Sequence, residues 1–408
     1  MENNIRHYKI QNRVRKQIEK ECMDKIESLK SRGDYIDELD PFLNALFFSI
    51  HPDKLQEKTS RPVVGLFCIQ APFELFDAFK LQPFKLCGGS YEAQHLSTSK
   101  LPALACPIIK STMGILNSDD HYRNVFKTII IPTTCDWVVK FAELAEYNIP
   151  ELHFMELPHI KENEKGEQRW LLELLELKRF LGKIMGIRLK RKDLLNSVNR
   201  YLAAWKYFNK LIELRRDNNI SALLFTIIVN AFPFMEIENW TDTLKAVIKK
   251  YEMYKEKIKH RAIFLAGAPI VFPNLKMLDL IEEAGMNVTA DDICSSERIF
   301  PGGACYDDTS EHGLMKALSD RYHKACICPT YADNTRRVNG IFNTLEENGI
   351  NGVVYHVLKG CHPYDIESIS VEKKIKDRGY RFIKIETDYV DEDRQNILTR
   401  LEAFNNTL

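Results

Sequence analysis

The 408-residue sequence is informative first through what it lacks. No apolar run approaches the roughly 20 residues that a helix needs to cross a bilayer, so no membrane span is expected. The opening stretch, Met1 to Glu21, mixes Lys, Arg and Glu without an apolar signal core, which predicts a cytoplasmic protein. Charge of one sign is missing too. The chain has 57 basic and 57 acidic residues, and that balance leaves no global field to draw in nucleic acid or an anionic membrane. There is no low-complexity tract, no short repeat and no Gly-x-x-x-x-Gly-Lys-Ser/Thr loop, so neither a solenoid nor a phosphate-cradling ATPase of that type is expected.

What is present is an alternation of strand and helix patterns. Residues from about Asn4 to Ser60 read as a helical arm, with Ile10, Val14, Ile18 and Cys22 at helical spacing among charged side chains. Val63 to Cys68 then forms a short apolar run, followed by a helical pattern through Phe73, Leu75, Phe76 and Phe79. The same order recurs at Thr128 to Ile131, which leads through Pro132-Thr133-Thr134-Cys135-Asp136 to a helix near Trp137. Strands that are apolar throughout belong to buried parallel sheets. From about Lys161 to Lys259 the pattern is helical and charged, and the Leu174 stripe reads as core or interface. A second alternating region opens at Ala262 to Pro269, has a helix at about Leu275 to Ala284, and has strands at Gly352 to Leu358 and Phe382 to Glu386. A chain of this length exceeds one ordinary core. The expected fold is α/β: two doubly wound, flavodoxin- or Rossmann-like parallel-sheet domains at 61–160 and 260–408, an arm at 1–60 and a helical connector at 161–259.

Ten cysteines in a long chain without an export signal point to metal or redox work rather than disulfides. Six of them fall in loops, several where a strand hands over to a helix: Cys87, Cys106, Cys135, Cys294, Cys328 and Cys361. In open parallel sheets ligands bind beyond the carboxyl ends of the strands, where helix N-termini present free N–H groups and favour a thiolate. A lowered thiol pKa is expected there. Cys87 precedes Gly88 and Gly89, which would let the backbone approach something bulky, and Cys106 precedes a proline. Cys326 and Cys328 are too close for both to face one cluster edge, so Cys328 is preferred and Cys326 is the alternate. Cys22 and Cys68 read as core, and Cys305 has no assigned role. The separations of 19, 29, 159, 34 and 33 residues from Cys87 to Cys361 match no compact zinc ribbon or bacterial ferredoxin run.

Five stretches carry a family resemblance: Leu86 to Gly114 (LCGGSYEAQHLSTSKLPALACPIIKSTMG), Thr133 to Asp136 (TTCD), Met155 to His159 (MELPH), Gly352 to Ser368 (GVVYHVLKGCHPYDIES) and Glu386 to Phe404 (ETDYVDEDRQNILTRLEAF). Nearly end to end, the chain resembles the 2-hydroxyacyl-CoA dehydratase and benzoyl-CoA reductase superfamily, and within it the double-cubane cluster proteins. The resemblance implies that Cys106, Cys135 and Cys361 bind one [4Fe-4S] unit. It also implies that Cys87, Cys294 and one of Cys326 or Cys328 complete a sulfide-bridged [8Fe-9S] cluster. Two positions depart from the family pattern: Ser296 stands where a glycine is usual, and Pro329 to Arg336 replaces the usual Ser-Pro-Asn-x-x-Arg.

The same resemblance implies a homodimer reduced by a separate ATP-dependent iron–sulfur reductase, with low-potential electrons passed to a small-molecule substrate. The candidate proton donors are His362, beside Cys361, and Lys110, four residues after Cys106. Ala266-Gly267-Ala268-Pro269 is more simply a tight turn than a phosphate loop, and Glu386-Thr387-Asp388 more simply a helix cap than an acid pair. Two other readings remain open at this point. One is a [4Fe-4S] subunit of a dehydratase that removes water from a 2-hydroxyacyl-CoA through a ketyl radical. The other is an electron-storage protein without turnover.

Overall fold

A computed structural model describes residues 2–97, 101–119, 121–144, 151–253 and 257–408; residues 98–100 of the Leu86–Gly114 stretch lie outside it. Two four-stranded parallel sheets are present. The first comprises β1 (Val63–Leu66), β2 (Gln82–Lys85), β3 (Phe126–Pro132) and β4 (Leu152–Met155) in the order β2-β1-β3-β4. The second comprises β5 (Arg261–Gly267), β6 (Met286–Asp291), β7 (Gly352–Leu358) and β8 (Arg381–Thr387) in the matching order β6-β5-β7-β8. This is the expected α/β architecture, two doubly wound sheets with a helical arm and intervening helices. In such an order the crevice for a ligand opens where the chain leaves the first strand in opposite directions, at the carboxyl ends of β1 and β3 and of β5 and β7.

Strand burial explains which elements the pattern reveals. β1 and β7 are buried at every position and β3 at all but one, so their Val and Ile runs have no polar alternation. β2, β4 and β6 have no such run. β2 reads Gln-Pro-Phe-Lys and tolerates Pro83 because it is an edge strand paired only with β1. β4 is an edge strand with Phe154 exposed, and β6 alternates apolar residues with Asn287, Thr289 and Asp291. Gly267 sits at φ 114°, and a Cβ there would collide with the His356 carbonyl of β7, so it is a close-packing glycine as expected.

The helices between the sheets hold them together. The helix Glu164–Met185 buries Trp170, Leu174, Leu177 and Leu181 completely. The helix Arg191–Arg216 bonds to both halves: Ser197 Oγ donates to the Glu74 carbonyl at 2.8 Å and Arg200 pairs with Asp77, while Arg215 donates to Asp291 at 2.6 Å. Arg321, on the helix Glu311–Lys324, reaches back to the buried Glu74 carboxylate, and Tyr322 adds a hydrogen bond to it at 2.8 Å. Buried charges of this kind are strongly destabilised when one partner is lost, so they fix how the two sheets face each other. No helix among the described residues is long and apolar enough to cross a membrane.

Buried histidines give the fold a pH dependence, and His356 is one of them. His356 on β7 lies with Nδ1 3.2 Å from the Ala268 carbonyl, and burial pushes its pKa down to about 4 from the ordinary 6.5. The unfolded chain therefore takes up this proton first as pH falls. Stability present above pH 6.5 should fall by roughly 3 kcal/mol on the way to pH 4. Urea denaturation across that window should show the loss, and His356→Gln should reduce it while the buried His51, held at about 3, keeps a residual dependence; an unchanged slope in the variant would contradict the assignment.

Candidate functional site

The carboxyl ends of the two sheets meet, and their loops are stitched together. Trp137 Nε1 donates to the Gly360 carbonyl at 3.0 Å, Tyr389 Oη donates to the Gly88 carbonyl at 2.9 Å, and the Ala332 amide donates to the His159 carbonyl at 3.0 Å. Each sheet sends cysteines into this seam from the same three places. Cys87 follows β2 and Cys294 follows β6; Cys135 follows β3 and Cys361 follows β7; Cys106 and Cys328 each precede a proline in the loop between. The two sets of three are thus topological counterparts.

Local structure explains why thiols sit at these points. Cys106 is the N-cap of the helix Pro107–Ser118, Cys361 is the N-cap of His362–Asp377, and Cys135 immediately precedes Asp136–Leu144. Backbone N–H groups point at the sulfurs: those of Ile108 and Ile109 at Cys106, of Val138 and Trp137 at Cys135, and of Tyr364 at Cys361. These donors favour a thiolate. Burial nevertheless wins, which corrects the expectation of lowered pKa values. It pushes the Cys106 thiol up to about 12, with Cys135 adding to the rise, and holds Cys361 well above the thiol range, where Cys106 and Cys135 raise it further. Cys87, Cys135 and Cys328 are also raised, first by burial. Near neutral pH and without a metal these thiols stay protonated, and a strongly charged metal group would draw off their protons.

The mutual influences define one cluster. Cys361 feels Cys106, Cys135 and Cys328; Cys87 feels Cys294; Cys328 feels Cys294; and Cys135 feels Cys328. No three His, Cys, Asp or Glu side chains among the described residues are grouped as they would be around a single metal ion. Cys326 lies beside Cys328 and Cys68 and is engaged by other side chains. Its Sγ accepts from Gln70 Nε2 at 2.9 Å, and Lys161 lies beside it with its ammonium 4.4 Å from the Tyr331 ring centre. Cys328 is the member of the pair that acts on Cys135 and Cys361.

Two predicted features stand differently in the structure, and two groups escaped prediction. Gly88 and Gly89 do not leave room for a bulky group. A Cβ at Gly88 would strike Ser111, and one at Gly89 would strike the Val271 and Phe272 carbonyls, so these glycines let the chain pack on itself. Cys22 is fully buried core, but Cys68, just beyond β1, is only partly buried and lies among Cys294, Cys326 and Cys328. Its backbone has φ 60°, a conformation that a purely apolar run does not advertise. Arg298 was also illegible: its buried guanidinium donates to the Ile327 carbonyl and to Tyr364 Oη, and acts on Cys294 and Cys328. Its Nε has no hydrogen-bond partner among the described residues. Lys110 donates to the Ala103 carbonyl at 2.5 Å, bracing the loop before Cys106, and His362 is exposed in the first turn of its helix. Cys305 is exposed in a loop away from these elements. Asp388 accepts from the Val390 amide at 2.9 Å and so stabilises the turn after β8.

The donor set fits an iron–sulfur group better than a lone ion: six sulfurs, backbone N–H donors aimed at them, and an orphaned guanidinium N–H beside two of them. The family model described as 2-hydroxyglutaryl-CoA dehydratase, D-component, matches residues 68–408. YjiM of Escherichia coli (strain K12), provisionally named a dehydratase subunit, is 27% identical over 353 residues, 84% of this chain and 90% of its own. The beta subunit of (R)-2-hydroxyglutaryl-CoA dehydratase from Acidaminococcus fermentans is 22% identical over 357 residues, covering 85% and 93%. The lactoyl-CoA dehydratase beta subunit of Anaerotignum propionicum is 20% identical over 356 residues, covering 86% and 93%.

Arg298 pulls the Cys328 thiol down against burial. Arg298→Met should therefore move alkylation of Cys328 by iodoacetamide in the metal-free protein to higher pH, while Arg298→Lys should move it less. Peptide mass spectrometry across a pH series measures this, and an unchanged Cys328 profile in the Met variant would contradict the coupling.

Proposed function

The chain belongs to the 2-hydroxyglutaryl-CoA dehydratase, D-component, family, and from that premise we propose that it is an iron–sulfur reductase component holding an [8Fe-9S] double-cubane cluster on Cys87, Cys106, Cys135, Cys294, Cys328 and Cys361. The observation that carries this reading is the duplicated geometry: each sheet delivers three thiols from equivalent positions into one seam. When bound, the cluster supplies low-potential electrons one at a time. The protein's own contribution is to bury the sulfurs, to aim backbone N–H groups at five of them, Cys87, Cys106, Cys135, Cys328 and Cys361, and to set the Arg298 charge beside Cys294 and Cys328. His362, exposed beside Cys361, would carry a proton from solvent on its imidazole. Lys110 could donate only after releasing the Ala103 carbonyl. Electrons would come from a separate ATP-dependent iron–sulfur reductase, the substrate would be a small molecule, and the working form would be a homodimer.

A second reading is favoured by the names of the relatives, which are dehydratase beta subunits. In it, Cys106, Cys135 and Cys361 hold a single [4Fe-4S] unit within a lyase. Iron content of anaerobically purified variants separates the two. On the first reading the wild type carries about eight irons per chain and Cys87→Ala or Cys328→Ala removes about half, whereas Cys326→Ala keeps them. About four irons, untouched by Cys87→Ala, would overturn it in favour of the dehydratase subunit.

A further inference from the structure

We propose that an apolar groove beside the N-terminal arm is the entry by which a small uncharged substrate reaches the Cys87 side of the seam, with the Phe234 ring as the gate that sets the size admitted. The proposal rests on the function reading above and assigns a selecting residue outside the cysteine set.

The groove lies between the arm helix, the helix Asp40–Phe47 and the helix Ile237–Glu252, and holds about 890 Å³. Its lining is mainly apolar, with Met23, Ile26, Phe47, Phe48 and Met235 around it, and small-molecule sites are concave, apolar and of this size. Lys30, Glu236 and Asp242 on its rim are paired, with Asp40, Arg61 and Lys245. Behind the groove, against Cys87, is a second and more closed space of about 10 Å³, room for about one water. That inner space also touches Ser295, the neighbour of Cys294, so it borders the two cysteines that follow β2 and β6.

Among the described residues Phe234 is the one that lines both spaces. It ends the single helical turn Phe232–Phe234 and is only 7% exposed. Gln82 Nε2 anchors that turn on β2 by donating to the Pro233 carbonyl at 3.2 Å, and the Phe84 ring meets the Phe234 ring edge-on with centres 5.2 Å apart. Interiors are close-packed and yield little, so the ring decides how wide an opening forms between the two spaces. The inner space suits an uncharged guest. Asn230 Nδ2 donates to the Ser295 carbonyl at 2.9 Å and its Oδ1 accepts from the Phe272 amide at 3.0 Å, while Ser295 Oγ bonds both polar groups of the Ile270 backbone and Ser49 Oγ donates to the Leu46 carbonyl at 2.6 Å. These polar atoms are already engaged and offer little to a charged guest. Lys85, the charged residue of the lining, keeps its ammonium in reach of solvent.

The test uses the full-length metal-free protein, with methyl methanethiosulfonate as a small uncharged probe and its sulfonatoethyl analogue as a charged one. Peptide mass spectrometry follows the modification of each cysteine at fixed pH in the wild type, in Phe234→Ala and Phe234→Trp, and in Met23→Trp and Asn239→Trp, which fill the groove from exposed positions and spare the core. The expected result is that the uncharged probe modifies Cys87 several-fold faster in the Ala variant and several-fold slower in the Trp variants. Cys135 and Cys361, reached through the seam, should keep their wild-type rates, and the charged probe should gain less from Phe234→Ala. A Cys87 rate indifferent to both the groove and Phe234 would overturn the proposal. So would equal acceleration of all three cysteines in Phe234→Ala with no effect of the groove variants, which would mark a loosened core instead of an opened gate. Iron content of the loaded wild type tests the function reading separately: a chain that takes up no cluster would defeat that reading, and the substrate role of the passage with it, whatever the probe rates.

Discussion

Everything at the seam depends on the two sheets being held with their carboxyl ends together, and that is the work of a few buried ion pairs. Glu74 with Arg321 ties a helix of one half of the chain to a helix of the other, and Arg215 ties the connecting helix to Asp291 at the end of β6. Because each such charge is buried, removing one partner leaves the other stranded at a cost of several kcal/mol. The clasps thus maintain an arrangement that the thiols alone would not favour. Eight of the ten cysteines are gathered there, and as thiolates they would repel one another. The metal-free seam is tolerable because burial keeps the thiols neutral; on the proposed function a loaded seam would need compensating charge, from the metal group and from Arg298.

The legible parts of this protein were those where burial leaves a simple pattern. β1, β3, β5 and β7 announced themselves because central parallel strands are apolar on both faces, and the Leu174 stripe did so because one helical face is fully covered. Of the edge strands β8 was legible at Phe382 to Glu386, whereas β2, β4 and β6 were not, since an edge admits Pro83 and polar side chains. Six cysteine positions could be singled out from loop context and resemblance, and the structure brings all of them to one seam. Of the pair Cys326 and Cys328, Cys326 accepts from Gln70 in the other half of the chain, a contact that spacing could not reveal. Cys68 and Arg298 were hidden because their roles depend on contacts across the seam rather than on neighbours in sequence. The lowered thiol pKa values were mistaken for a related reason: the helix termini are real, but the depth of burial is a property of the assembled seam.

The family match begins at residue 68, so the arm helix Glu2–Lys30 lies outside it. That helix is nonetheless built into the site, with Glu21 on the loop after Cys87 and Lys25 bonded to Asp279 at 2.7 Å. It also packs on the helix that Cys106 caps, where Gln11 Nε2 donates to the Asn117 carbonyl at 3.0 Å.

The most direct test of the central claim is anomalous diffraction at the iron absorption edge from anaerobically grown crystals of the loaded protein. The account predicts iron peaks confined to the seam between the two sheets, divided into two groups, with ligand bonds to all six named sulfurs and none to Cys326. A single group bonded to Cys106, Cys135 and Cys361 alone, or iron bound away from the seam, would contradict it.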